Sequence, residues 1–180
     1  MSSVPGKYIK DENGNIFSPI VSSDSVITKG GGNLTPSAIT LVLGSDYDIT
    51  INSSWEEKRV PLNVVETNIG SCFSLNNNSV LVGDNVNAVR ISGNLDMWQG
   101  PNTIAECILK LNVYHNNTIT KGKEINSSKN GSLVALSLTP FIAQVQKGDK
   151  IEMVATIGIA GTIKLMGRNK NTYLTVEKIY

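Results

Sequence analysis

The sequence predicts an all-β protein: a sandwich of about ten strands preceded by a short N-terminal β-hairpin or extended arm. Three observations support this class. Val, Ile and Thr together number 48 against only 7 Ala, a balance that favours pleated sheet over helix. From residue 38 onward, short apolar runs are separated by clusters of Asn, Gly, Asp and Ser, as in sandwiches and barrels. At 180 residues, the chain has room for one domain with a substantial core but not for two large domains.

The first 36 residues differ from the rest because they hold too few apolar residues for a core of their own. Asn13-Gly14 separates two apolar runs and predicts a tight turn, since both residue types accept positive φ. We therefore expect a small hairpin that either packs on something larger or stays mobile. The three consecutive glycines Gly30 to Gly32 indicate a linker, which divides the chain into residues 1–36 and residues 37–180.

The first half of the sandwich is predicted from short alternating segments at 39–43, 47–52, 73–75 and 80–82. Asn76 to Ser79, between the last two segments, has the composition of a tight hairpin. The alternation at 60–64 includes Pro61, which cannot donate to a ladder and so indicates an edge or irregular position. Residues 56–59, Glu-Glu-Lys-Arg, are predicted to form a solvated loop with weak ion pairs.

The second half holds the two longest alternating patterns, at 89–97 and 107–114. Each places apolar residues or Gly on one face and mostly polar residues on the other, so we expect a sheet that is covered on one face. The remaining strands are predicted at 133–145, 151–157, 162–166 and 172–179. The sequence Lys147-Gly148-Asp149 predicts a turn between the first two of these.

The charge balance points to no strongly charged partner. Lys plus Arg number 16 and Asp plus Glu number 15, for a net charge of +1, so neither nucleic acid nor a membrane is expected as a partner. Charged residues are only 17% of the chain, whereas Asn numbers 20 and Ser numbers 18, which predicts a neutral, amide-rich surface. The N-terminus carries no apolar stretch typical of a secretory signal, so we expect synthesis in a cytoplasm.

Candidate catalytic residues are sparse. His115 is the only histidine, and its place at a strand end beside two asparagines favours a turn-flanking role over catalysis. Asp46 and Asp48 straddle Tyr47 and share a strand face, a spacing that suits acid–base chemistry but that an exposed strand start also explains. We therefore predict no catalytic residue, no metal site and no cofactor, and we expect that the protein is not an enzyme.

Three further features have structural interpretations. The stretch from Asp11 to Asn15 superficially resembles a calcium loop, but it lacks the later ligands and the final Glu, so a turn is favoured. Cys72 and Cys107 lie far apart and are predicted to be buried free thiols. Trp98 is the large aromatic residue expected at a strand end, either at the rim of the core or in contact with a glycan or protein.

Four segments in order carry a resemblance to a known family. They are FSLNNNSV at 73–80, VRISGNL at 89–95, KGDKI at 147–151 and TYLTVEKI at 172–179. Together they resemble the C1q/TNF-like jelly rolls of bacteriophage virion proteins, over most of residues 38–180. Residues 7–20 are similar to the openings of phage fibre and minor structural proteins. Each segment alone is common, and the ordered set carries the resemblance.

The resemblance implies a ten-stranded jelly-roll head, residues 37–180, that forms a homotrimer on a head or tail fibre or spike of a tailed bacteriophage. The protein would be made in the host cytoplasm and reside on the virion. Residues 1–36 would dock on capsid or tail proteins, and the head would contact a host-surface glycan or protein, with Trp98 as a candidate contact. Trimerisation is expected to bury a half-polar strand face that includes Ile108 and Tyr114. The expected anchoring residues are Tyr8, Ile9, Phe17, Ile20, Val26 and Ile27.

Two other functions are compatible with the same residues. A capsid decoration (cement) protein would have the same fold but would contact neighbouring capsid subunits instead of a host. A glycan-active enzyme is less favoured, because Asp46 and Asp48 have no supporting residues around them in the sequence.

Overall fold

The computed structural model divides into two units, Met1–Pro36 and Ser37–Tyr180. It describes residues 9–10, 16–17, 26–27, 33–34, 36–98, 106–127 and 133–179. The first unit contains two antiparallel strand pairs, β1 (Ile9–Lys10) with β2 (Ile16–Phe17), and β3 (Val26–Ile27) with β4 (Asn33–Leu34). The first pair agrees with the predicted hairpin. Its Asn13-Gly14 turn, the calcium-like stretch and the triple-glycine linker lie outside the described residues.

The described residues of the second unit contain thirteen strands, one 3-10 turn at Arg168–Lys170, and no α-helix. The strands are β5 (Ala38–Val42), β6 (Tyr47–Ile51), β7 (Glu56–Arg59), β8 (Val64–Ile69), β9 (Phe73–Asn76), β10 (Ser79–Val82), β11 (Ala88–Trp98), β12 (Cys107–His115), β13 (Thr118–Ser127), β14 (Leu133–Gln144), β15 (Lys150–Ile157), β16 (Gly161–Leu165) and β17 (Tyr173–Lys178).

These strands form two antiparallel sheets. The six-stranded sheet has the order β13, β12, β15, β10, β9, with β7 also paired to β15. In the seven-stranded sheet, β14 pairs with one side of β11, and β17 and β16 pair with its other side. Beyond them the sheet continues from β17 through β5 to β8, and from β16 to β6. Because long strands such as β11 and β12 belong to different sheets, the chain crosses repeatedly between the two layers, as in a jelly roll.

The core lies between the sheets and follows the predicted alternation. Every second residue of β12, from Cys107 through Val113, is fully buried, as are the apolar residues at odd positions of β11. Gly93 occupies one of these inward positions of β11. A Cβ there would lie 2.8 Å from Cε of Met153 and 3.2 Å from Cδ1 of Leu111, so side chains of the six-stranded sheet fill the space above this glycine.

Two tight hairpins owe their geometry to asparagine pairs. Asn77 and Asn78, between β9 and β10, have φ of 47° and 64°, as the predicted turn at this position requires. Asn116 and Asn117 connect β12 to β13 with φ of 48° and 64°. Asparagine tolerates this left-handed conformation better than most residues, which explains why both turns use it.

The structure corrects the expectation for residues 56–59, which form strand β7 and not a loop. β7 pairs antiparallel with β15, and its charged side chains make ion pairs, Arg59 with Glu152 and Lys58 with Glu56. Hydrogen bonding to a neighbouring strand therefore outweighs the weak strand propensity of four charged residues. The irregular position predicted at Pro61 is confirmed, because residues 60–63 form an irregular connection before β8 in which Val60 and Leu62 are buried.

Candidate functional site

Apolar side chains exposed on the described surface gather mainly at the edges of the sheets. The large ones are Tyr47, Trp55, Val64, Val65, Ile69, Trp98, Ile119, Leu133 and Ile142. Six of these nine lie on β8, β11 or β14, strands of the seven-stranded sheet. Since clustered exposed apolar residues mark interaction surfaces more often than scattered ones do, this sheet is the first candidate for a contact surface.

The first group, which we call the β8 patch, consists of Val64, Val65 and Ile69 on edge strand β8, where the consecutive Val64 and Val65 project to opposite faces of the sheet. All six residues of β8 are exposed, and within the described residues the strand pairs only with β5. The exposed fractions are 40% for each valine and 52% for Ile69. An edge strand of this kind offers both apolar side chains and unpaired backbone groups, so it is a ready site for pairing with another chain.

The second group, the β14 patch, consists of Trp98 and Leu133. The two residues are cross-strand neighbours at the end of the β11–β14 pair, and they are 42% and 60% exposed. Trp98 therefore lies at a strand end, as expected. The β14 patch and the β8 patch lie toward opposite edges of the same sheet, because β17 and β5 separate β11 from β8.

The residues expected at the trimer interface, Ile108 and Tyr114, lie on the outward face of the six-stranded sheet. Both are half-buried in the single chain. They are separated along β12 by Lys110, which forms an ion pair with Glu57, and by the buried Asn112, so they do not form one continuous apolar patch. Their role in an interface stays a prediction.

The expected anchoring residues fall in the first unit. Ile9 and Phe17 are backbone register partners in the β1–β2 pair, while Val26 and Ile27 form β3. Tyr8 and Ile20 lie outside the described residues. The role of these six residues as a virion anchor stays a prediction.

His115 is bound to a buried carboxylate. Its Nδ1 lies 2.7 Å from Oδ1 of Asp149, whose residue is only 3% exposed. A carboxylate can only accept, so the imidazole donates through Nδ1. The other oxygen of Asp149 accepts a hydrogen bond from the backbone N–H of Gln146 at 3.0 Å and closes the turn before β15. Asp149 therefore fixes both the turn and the orientation of the imidazole ring.

This pair lies in a cleft of about 590 Å³ beside the seam where β13 meets the end of β14. Polar side chains of His115, Thr120, Lys121, Gln144, Gln146 and Asp149 line it. The predicted turn-flanking position of His115 is confirmed, but its contact with Asp149 was missed, because 34 residues separate them in the sequence. The predicted turn at Lys147-Gly148-Asp149 was the only sequence signal near this contact, and it did not reveal the partner.

Asp46 and Asp48 have different partners in the structure. The carboxylate of Asp46 accepts hydrogen bonds from the backbone N–H groups of Gly167 and Arg168 and binds the Arg168 guanidinium, with 2.8 Å between Oδ2 and the terminal nitrogen. Asp48 is 3.9 Å from Nζ of Lys164 at an exposed position on β6. Asp46 thus holds the 3-10 turn against the loop before β6. Its hydrogen bond to Arg168 lowers the pKa of Asp46 from 3.8 to about 2.

This pKa predicts how the stability of an Asp46→Asn variant depends on pH. A carboxylate whose pKa is lower in the folded state stabilises the fold above its unfolded pKa and loses that contribution as pH falls through its folded pKa. We expect the variant to melt at a lower temperature than the wild type above about pH 4 and the difference to vanish below about pH 2. Thermal unfolding from about pH 1 to pH 7 checks this, with Asp48→Asn as the exposed control. A difference that is constant over this range would contradict the assignment.

The remaining candidate groups show ordinary structural environments. Both cysteines are free thiols as predicted, but only Cys107 is buried, which raises its pKa to about 12, whereas Cys72 is half-buried. The pKa of Glu56 is lowered, chiefly by its hydrogen bond to Lys58. Within the described ranges, no group of His, Cys, Asp and Glu side chains is arranged to hold a metal ion. None of the described residues forms a helix that is long and apolar enough to cross a membrane.

No family model and no curated protein matches the sequence. The fold is similar to solved structures. Murine APRIL superposes with a TM-score of 0.58 at 14% identity, over 81% of this chain and 100% of that chain. Eiger TNF from S. frugiperda superposes with a TM-score of 0.54 at 6% identity, over 81% of this chain and 92% of that chain. The vertex protein P5 of PRD1 covers 80% of this chain at 10% identity, and its TM-score of 0.48 is too low to support an inference.

At these identities the likeness concerns the fold alone. It agrees with the two antiparallel layers, the crossing connections and the all-β composition described above. The predicted all-β jelly-roll sandwich is confirmed, with a TNF-like fold and with thirteen described strands in the domain where ten were expected.

Proposed function

We propose that this chain is a structural protein of a tailed bacteriophage virion, a homotrimeric head or tail fibre or spike that acts by contact and not by catalysis. The observation that carries the proposal is the placement of the β8 patch and the β14 patch at opposite edges of one sheet. The resemblance of four sequence segments to phage jelly rolls supports the virion location. The jelly-roll fold is compatible with both the virion location and the trimeric assembly.

Two different patches on one subunit favour a head-to-tail contact. When the β14 patch of one copy packs on the β8 patch of the next, each copy has one partner on either side. Such a contact gives a ring or an open filament, depending on the rotation between copies, and our proposal is the closed ring. Closure covers the exposed edge strand β8, which would otherwise invite uncontrolled pairing between chains. We take the number of subunits, three, from the resemblance.

In this proposal the two units have different roles. Residues 1–36 attach the protein to capsid or tail proteins, because they lack a core of their own and need a larger surface to pack on. The jelly-roll domain contacts the host surface, where its neutral, Asn-rich exterior supplies both donors and acceptors of hydrogen bonds. Trp98 is a candidate for this contact as well as a member of the β14 patch.

The first test is the mass of the purified chain in solution. Multi-angle light scattering at micromolar concentration is expected to give three times the mass of the 19.4 kDa chain. Immuno-electron microscopy of phage particles is expected to place the protein on the virion. A monomer in solution would refute the assembly, and absence from purified particles would refute the virion role.

A second measurement separates host contact from capsid stabilisation. The purified protein without particles is expected to bind host cells, whereas a protein that serves only as capsid cement binds particles alone. The Trp98→Ser variant then shows whether Trp98 contacts the host or the neighbouring subunit. If the variant keeps its oligomeric mass but no longer binds cells, Trp98 contacts the host. If its mass falls, Trp98 contacts the neighbouring subunit.

A further inference from the structure

The cleft around His115 contains the buried carboxylate of Asp149, which needs hydrogen-bond partners to be stable there. Asp149 is almost fully buried, and burying a carboxylate is unfavourable unless hydrogen bonds compensate. The backbone N–H of Gln146 satisfies one oxygen and closes the turn. The other oxygen is committed to His115, a half-exposed side chain that the turn does not need. The consequence of this second bond is a fixed imidazole whose Nε2 edge is turned away from the carboxylate.

Side-chain amides surround the Nε2 edge of the ring. Because Nδ1 donates to Asp149, Nε2 is the acceptor, and the side-chain nitrogens of Gln146 and Asn116 lie 2.9 and 3.0 Å from it. Gln144 lines the same cleft. A side-chain amide both donates and accepts, as a hydroxyl group does, so the amides of Gln144 and Gln146 suit a ligand rich in hydroxyl groups.

One positive charge in the cleft has no carboxylate partner among the described residues. Lys121 lines the cleft and forms no ion pair there, in contrast to Lys147 with Asp84 and Lys164 with Asp48. Ile142, which is 59% exposed, lines the cleft as well and offers an apolar surface. The volume of about 590 Å³ is within the range of sites that hold small ligands.

We propose that this cleft binds an acidic saccharide, with its hydroxyl groups on the amides of Gln144 and Gln146 and its carboxylate on Lys121, next to the His115 ring. The proposal deepens the proposed function, because it assigns the chemistry of the host-surface contact and rests on that contact. A single lysine beside a buried aspartate gives too little positive charge for a nucleic acid. The apolar face of a sugar ring fits against Ile142.

The single histidine gives a direct test, because the protein has one imidazole resonance. The full-length protein is titrated with a tetrasaccharide that contains glucuronic acid while the ¹H–¹³C resonance of the His115 ring is followed by NMR. We expect a saturable shift of this resonance. The matched ligand is the same tetrasaccharide with its carboxyl groups reduced to hydroxymethyl groups, and we expect it to bind about tenfold more weakly.

Two lysine variants locate the charge contact. Lys121→Gln is expected to weaken binding of the acidic tetrasaccharide about tenfold and to leave binding of the reduced one unchanged. Lys164→Gln, on β16 outside the cleft, is the control and is expected to bind as the wild type does. Because both lysines are on the surface, neither change should affect folding, and circular dichroism verifies this.

Three outcomes would overturn the inference: no shift of the His115 resonance, equal binding of the acidic and reduced tetrasaccharides, or equal effects of the two lysine variants. Binding of a peptide instead of a saccharide at the same resonance would also overturn it. None of these results would affect the oligomeric mass or the location on particles. A failed saccharide test with a trimer on the virion therefore refutes only the ligand, and a monomer absent from particles refutes the proposed function.

Discussion

Replacing Leu111 by Ala is expected to destabilise the jelly-roll domain by about 3 kcal/mol. Leu111 is fully buried on β12 and lies opposite Gly93 of the other sheet, at the position where a Cβ on that glycine would come within 3.2 Å of it. Removal of its isobutyl group leaves a cavity between two paired sheets that cannot collapse freely. Urea unfolding followed by tryptophan fluorescence or far-UV circular dichroism measures the loss.

Gly93 provides an internal check on this prediction. Gly93→Ala alone is expected to cost about 1–3 kcal/mol, because its methyl group would lie 2.8 Å from Cε of Met153, 3.0 Å from the carbonyl oxygen of Tyr173 and 3.2 Å from Cδ1 of Leu111. In the double variant the new methyl group enters the cavity that Leu111→Ala leaves. The double variant should therefore lose less free energy of unfolding than the two single variants lose in sum. Ile119→Ala, at a position that is 53% exposed, is the control and should cost less than about 1 kcal/mol. If the free-energy changes of the two substitutions are strictly additive, the two positions are not in packing contact.

The interior of the sandwich could be predicted because buried strands carry a clear alternation. Residues 89–97 and 107–114 were assigned to strands with the correct faces inward, and these are β11 and β12. Hairpins were predictable where asparagine pairs mark them, as between β9 and β10. In each case a local pattern is enough, because burial on one side determines which residues are tolerated.

The strands that were missed lie at sheet edges or pair over a short stretch. Nearly every residue of β13 is exposed or half-buried, all of β8 is exposed, and β7 is a run of four charges. Little of their side-chain surface enters the core, so their sequences are not constrained to alternate, and the pairing partner alone makes them strands. The His115 cleft could not be predicted either, because it is formed by contacts between residues distant in the sequence, such as His115 and Asp149.

A lysine at Val65, in the middle of the β8 patch, is expected to convert the trimer into monomers. Val65 is 40% exposed in the single chain and would be covered by a neighbouring copy in the proposed ring. Burial of an uncompensated ammonium group costs several kcal/mol, which corresponds to a more than hundredfold rise in the dissociation constant. Light scattering over a concentration series measures the change. Ile119→Lys adds the same charge at a similarly exposed position outside both patches and should leave the trimer intact.

Mixing two monomeric variants distinguishes a head-to-tail ring from a symmetric contact. Leu133→Lys blocks the β14 patch and leaves the β8 patch free, while Val65→Lys does the reverse. In a head-to-tail arrangement, the intact β14 patch of one variant pairs with the intact β8 patch of the other, and the equimolar mixture gives a heterodimer that cannot grow. If each patch instead paired with its own copy, each variant would already dimerise alone and mixing would add nothing. A heterodimer that forms only on mixing therefore shows that the β8 patch of one subunit contacts the β14 patch of the next, and a trimeric mass of the wild-type protein then shows that this contact closes after three copies.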